Sequence, residues 1–109
     1  MAIYQNLSRV AITSLPQGTV GLPARVIAAS SGFLGDDLVM VLELFKIEKE
    51  NHPNEYSLIG KPHIYDFLRE AGVVRINGIE GKVITAYVNG DSSVIQGVSP
   101  NYSTPNIIC

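Results

Sequence analysis

A chain of 109 residues, 46% of them hydrophobic, suits one domain whose core needs no staple. Charged residues make up only 17%, against about 25% in typical soluble domains, and the net charge is −2. That balance argues against nonspecific nucleic-acid binding through a basic face, and the single cysteine excludes an intrachain disulfide.

The segment Met1-Ala2-Ile3-Tyr4-Gln5-Asn6 carries neither the basic nor the apolar region of a secretory signal. No apolar run approaches the roughly 18 to 20 residues of a membrane-spanning helix. A cytoplasmic protein with no membrane association is therefore expected. A surface this poor in charge is expected to be partly covered, by a second copy or by a protein partner.

Residues 1–16 carry two periodicities. Ile3, Leu7, Val10 and Ala11 fall at helical spacing, while Val10 and Ile12 alternate with polar neighbours. The better reading is a strand over 9–15 behind an N-terminal arm, ended by Pro16. Gln17-Gly18 and Gly21-Leu22-Pro23 are turn material. A short strand over 24–29 then pairs with a longer one over 38–47, across a loop over 30–37. In the longer strand Leu38, Met40, Leu42 and Leu44 share one face. Val39, Val41, Glu43, Phe45 and Ile47 share the other. Both faces are largely apolar, which predicts a central strand covered on both sides.

Residues 48–54 are charged or turn-forming and read as a solvated loop. A short strand fits 56–59. The spacing of Ile64, Phe67, Leu68 and Ala71 predicts a helix over 62–71 with one buried stripe, Pro62 in its first turn and Gly72 closing it. It feeds an antiparallel sheet over 73–79, 82–88 and 94–98, with Asn89-Gly90 as a hairpin turn. Residues 101–109 form a tail or arm outside a single β-rich domain of residues 1–100.

No catalytic constellation stands out. The two histidines, His52 and His63, lack the close-spaced partners that a metal site needs, so neither a metal nor another cofactor is expected. Asp36 and Asp37 are adjacent, and adjacent side chains on an extended chain point apart. Gly32-Phe33-Leu34-Gly35 lacks the Lys-Ser/Thr of a phosphate loop. It places two apolar residues, Phe33 and Leu34, at a loop tip, where they suit a partner contact. Arg25, Lys46 and Lys82 fall on strand segments and could share a face. Tyr87, with Tyr4, Tyr56 and Tyr65, could stack on bases.

The element order, with Leu38-Val39-Met40-Val41-Leu42-Glu43-Leu44, then Ile64-Tyr65-Asp66-Phe67-Leu68-Arg69-Glu70-Ala71-Gly72-Val73, then Ile79-Glu80-Gly81-Lys82-Val83, resembles small phage-encoded single-stranded-DNA-binding proteins of the oligonucleotide/oligosaccharide-binding (OB) fold. The resemblance spans about residues 20–98, rests on pattern, and transfers no functional residue. It implies a mainly β domain, a small five-stranded barrel or sandwich with one packed helix at about 62–71. The small size and unusual composition suggest a phage- or virus-encoded source. The chain departs from that family in its few basic residues and in having no acidic tail.

The expected function is a non-enzymatic binding or assembly protein working as a homo-oligomer. The alternatives are a single-stranded nucleic-acid module and a nucleotide-type ligand binder with an interface pocket.

Overall fold

The longest segments that avoid Pro53 and the charged loop are rich in branched and aromatic residues, and they become strands. A computed structural model describes residues 2–47, 53–89 and 94–102. Its strands are β1 (Ala2–Tyr4), β2 (Arg9–Ala11), β3 (Thr19–Leu34), β4 (Asp37–Lys46), β5 (Asn54–Ile59), β6 (Val83–Asn89) and β7 (Ile95–Ser99). All seven join one antiparallel sheet in the order β2-β1-β7-β6-β3-β4-β5. The molecule is mainly β, as the pattern of strand segments predicts. The sheet is open rather than a closed barrel, and the described residues form seven strands where the resemblance implies five.

The helix α1 (Lys61–Ala71) forms where the 3.6-residue period places it. Its first turn has no side-chain cap, and Pro62 occupies a position whose N–H would go unpaired in any case. Gly72 ends it in the left-handed region, at φ 80°. The Gly72 N–H donates to the Arg69 carbonyl and the Val73 N–H to the Leu68 carbonyl. These two bonds satisfy carbonyls that the helix end would otherwise leave bare.

Ile64, Phe67, Leu68 and Ala71 press the helix onto one face of the sheet. There they meet Met40, Leu42 and Leu44 of β4, Leu58 of β5, and Ile84, Ala86 and Val88 of β6. A second, smaller core lies on the opposite face, where Ile3, Leu15 and Tyr87 bury each other. The close approach of β1 there depends on Gly97. A Cβ at that position would stand 2.6 Å from Ile3 Cγ2.

Four local expectations need correction. β4 is not covered on both sides: Met40, Leu42 and Leu44 are buried, but Val39, Val41 and Phe45 are only half-buried, because the second core forms at the other end of the sheet. Residues 30–34 and 37 belong to the strands rather than to a loop, since Gly35-Asp36 alone makes the turn. Residues 73–79 hold no strand; they form a bend and a 3-10 turn over Ile76–Ile79 that buries Ile79 against the core. The N-terminal strand covers only Arg9–Ala11, with a 3-10 turn following, and the arm before it contains β1. The 48–52 portion of the charged loop, the Gly90 half of the Asn89-Gly90 turn and the tail beyond Tyr102 lie outside the described residues.

Candidate functional site

The β3–β4 hairpin outruns the rest of the sheet. β3 pairs with β6 only from Thr19 to Arg25. The pairing with β4 slips between Val26 and Ala28, a bulge that redirects the strand. Beyond it β4 stays paired with β5 from Val39 to Leu44, and two further bonds hold the hairpin. The Ala29 N–H donates to Glu80 Oε2 at 2.9 Å, and the Gly60 N–H donates to the Leu38 carbonyl at 2.8 Å. From Ser30 to Asp37 every residue is exposed. The turn carries a positive φ of 63° at Gly35 and none at Asp36, which fits a two-residue type II′ turn.

Phe33 and Leu34 sit at the end of this arm, 76% and 64% exposed. Phe33 pairs with Leu38 on the face that looks toward the helix, and Leu34 pairs with Asp37 on the other. Side chains this apolar are rarely left in water on a projecting tip without a partner. Below the tip, an open groove of about 510 Å³ runs between the arm and the helix. Leu38, Tyr65, Leu68, Val74 and Ile76 form its apolar floor and wall, with Arg75 at its margin. A smaller hollow of about 380 Å³ continues past the helix end, bounded by Leu68, Arg69, Val73 and Val74. Val74 is 93% exposed.

The charges on the two features are opposite. The tip carries Asp36 and Asp37, and the groove margin carries Arg69 and Arg75. Arg69 is paired within its own helix, with Asp66. No ion pair engages Asp36, Asp37 or Arg75 among the described residues.

The other residues singled out in the sequence do not converge. Arg25 stands opposite Phe45, whereas Lys46 stands opposite Ala24, so the two cations occupy opposite faces. Arg25 is exposed and Lys46 is buried at 2% exposure. Lys82 lies just before β6 and is half-buried, its backbone tied to Val26 and Ile79. Tyr87 is buried in the second core, with its hydroxyl 3.2 Å from Ser99 Oγ, and presents no ring for stacking. Phe33, Leu34 and Arg25 are thus the exposed members of the predicted set, and of these Phe33 and Leu34 lie together.

A second polar constellation sits where the N-terminal segment meets the helix. Tyr4 is fully buried, edge-on to Phe67, and its hydroxyl donates to Glu70 Oε2 at 2.6 Å. Arg9 donates to the same oxygen at 2.7 Å and lies over the Tyr4 ring. His63 Nε2 donates to the Gln5 carbonyl. Burial, then the Glu70 hydrogen bond and charge, push the Tyr4 phenol far above its ordinary value. These groups bond to one another across the strand and the helix, so the cluster fastens the strand to the helix. Among the described residues no three acidic, histidine or cysteine side chains converge as a metal site would require. Comparison with protein-family models, with curated proteins and with solved structures finds no match to this chain.

Proposed function

We propose that this is a non-enzymatic assembly protein whose β3–β4 arm docks on a second copy of the chain. The observation that carries the reading is the exposed Phe33–Leu34 tip beside a groove with an apolar floor that no described residue fills. Charge supports the same occupant: an acidic tip meets a groove edged by Arg69 and Arg75. Leu38 lines the groove and pairs with Phe33, so tip and groove lie together on one side of the molecule. A two-fold axis beside the arm therefore lets each copy place its tip in the groove of the other, which closes the contact as a dimer. The nucleic-acid alternative needs Arg25, Lys46 and Lys82 on one surface. Their separation to opposite faces favours assembly.

The test is the native mass in solution by light scattering. A dimer of twice 11.8 kDa is expected. The double variant Phe33→Asp, Leu34→Asp should be a monomer with an unchanged far-ultraviolet spectrum, since neither side chain contributes to the core. The exchange Asp37→Arg should weaken the dimer, and adding Arg75→Asp should restore it. A wild-type monomer at high micromolar concentration, or a tip variant that stays dimeric, overturns the reading.

A further inference from the structure

The sheet leaves a seam between its two ends that is only half fastened. β5 is an edge strand. On the far side, β1 meets β7 only at Tyr4 and Val98, so the Ile95–Gly97 stretch of β7 has no neighbouring strand on that side among the described residues. The turn after β1 pins one end of the seam. Gln5 Nε2 donates to the Gln96 carbonyl at 3.1 Å, Asn6 Nδ2 donates to the Ser57 carbonyl at 2.6 Å, and the Ile59 N–H donates to the Asn6 carbonyl at 2.8 Å. The other end is an open cleft of about 480 Å³ lined by Asn6, Asn54, Glu55, Tyr56, Ser57 and Ile95, with Val94 at its lip.

Backbone alternation shows what this edge offers. The Ser57 carbonyl and the Ile59 N–H point outward, because Asn6 takes them. In an antiparallel strand every second residue turns its N–H and C=O to the same side. Glu55 therefore presents both its N–H and its carbonyl to the cleft, and Ser57 presents its N–H. Asn6 stops short of all three.

The side chains define the ligand further. Asn54 Oδ1 is buried and accepts no hydrogen bond. A buried acceptor left bare costs on the order of 1–3 kcal/mol, so this atom calls for a donor from outside. Among the described residues, Glu55 is the only charged one lining the cleft. It stands directly opposite Glu43 on β4, and neither carboxylate has an ion-pair partner among the described residues. Like charges opposed across a ladder work against the sheet, and a cation between them removes that penalty. The same two carboxylates oppose antiparallel pairing of β5 with the β5 of another copy, where four of them would gather.

We infer that the open β5 edge is a docking site for an extended peptide segment that carries a lysine or arginine opposite Glu55. The segment adds to the sheet as a short strand. Its backbone takes the Glu55 N–H and carbonyl and the Ser57 N–H. Its cation lies between Glu55 and Glu43, and a polar side chain next to that cation donates to Asn54 Oδ1. Such strand addition takes affinity from main-chain bonds and selectivity from alternate side chains. This edge is separate from the β3–β4 tip, and the site exists in one chain alone.

The test uses nuclear magnetic resonance titration of the tip variant Phe33→Asp, Leu34→Asp, so that self-association and peptide binding are read apart. The probe is an acetylated, amidated peptide of alternating valine and threonine with one central arginine. Shifts should concentrate on residues 54–57 and 94–96. Glu55→Gln should weaken binding about tenfold, the scale of one charge-assisted hydrogen bond. N-methylation of the peptide amides that face the edge should abolish binding, and a central glutamate should do the same. Three results overturn the proposal: no shifts at millimolar peptide, equal binding of the N-methylated peptide, or equal binding of free arginine amide. The last would make the cleft a small-cation site instead of a strand-docking edge.

Discussion

At the scale of single residues, two phenols report how the ends of the sheet are held. Tyr56 is buried at the seam, and burial pushes its hydroxyl up to about 12 against a hydrogen bond from the Asn6 backbone that pulls it down. Tyr4 is raised further, by burial and by the Glu70 carboxylate that its hydroxyl bonds. Both therefore hold their protons more tightly in the folded chain than in the unfolded one, where the value is about 10. Ionisation penalises the folded state alone, so stability is intact below about pH 10 and is lost as the pH rises through 12. Denaturant midpoints should be flat up to pH 10 and fall above it, and Tyr56→Phe should flatten part of that fall. An identical fall in wild type and variant would show that Tyr56 is solvated. Neither burial was legible in the sequence, where both tyrosines read as surface stacking candidates. Their partners lie far along the chain: Tyr4 and Glu70 are 66 residues apart. Local periodicity carries no information on such a contact.

At the scale of elements, legibility followed the range of the forces involved. The helix was readable to within one residue at its start because its stripe, its proline and its terminal glycine all act within a few residues. The β3–β4 pairing was readable too, but its length was not. Six polar or small residues among the eight of 30–37 resembled a loop, whereas Gly35-Asp36 alone was the two-residue hairpin signal. The pattern misled at 73–79, where apolar residues spaced like a strand instead pack a 3-10 turn under the sheet. The reach of the arm depends on that turn chemistry. A Cβ at Gly35 would meet nothing within 4 Å, so Gly35→Ala probes backbone conformation alone. It should cost about 1–2 kcal/mol locally, the penalty for an L side chain at positive φ. The tip should then fray, with loss of the cross-strand Phe33–Leu38 nuclear Overhauser contacts while helix signals persist. Gly35→Asn should be milder, since asparagine tolerates that region better. Retention of the tip contacts in the alanine variant would refute the turn assignment.

At the scale of the whole molecule, the N-terminal segment acts as a clasp, and this determines how the sheet should fail. Tyr4 and Arg9 tie it to Glu70 on the helix, Asn6 ties it to β5, and Ile3 and Leu15 close the second core over Tyr87. These contacts join the two ends of the sheet order without a continuous ladder between them, which is why the sheet curls round the helix yet stays open. All of them depend on β1 lying close to β7 at Gly97. A Cβ there would stand 2.6 Å from Ile3 Cγ2 and 3.2 Å from the Tyr4 carbonyl oxygen. The isoleucine could shift, but the backbone oxygen has no other position while Tyr4 pairs with Val98. Gly97→Val should therefore destabilise the protein by about 1–3 kcal/mol, the usual range for overpacking a tight site. The damage should also be uneven. Hydrogen exchange should accelerate in residues 2–15 and in β7, while amides of β4 and of the helix, packed in the main core, keep most of their protection. Uniform acceleration would mean that the two cores unfold as one unit and that the N-terminal segment is part of the domain's central structure. Selective release would leave the β3–β4 arm in place, whereas the β5 edge would lose the Asn6 hydrogen bonds that pin it.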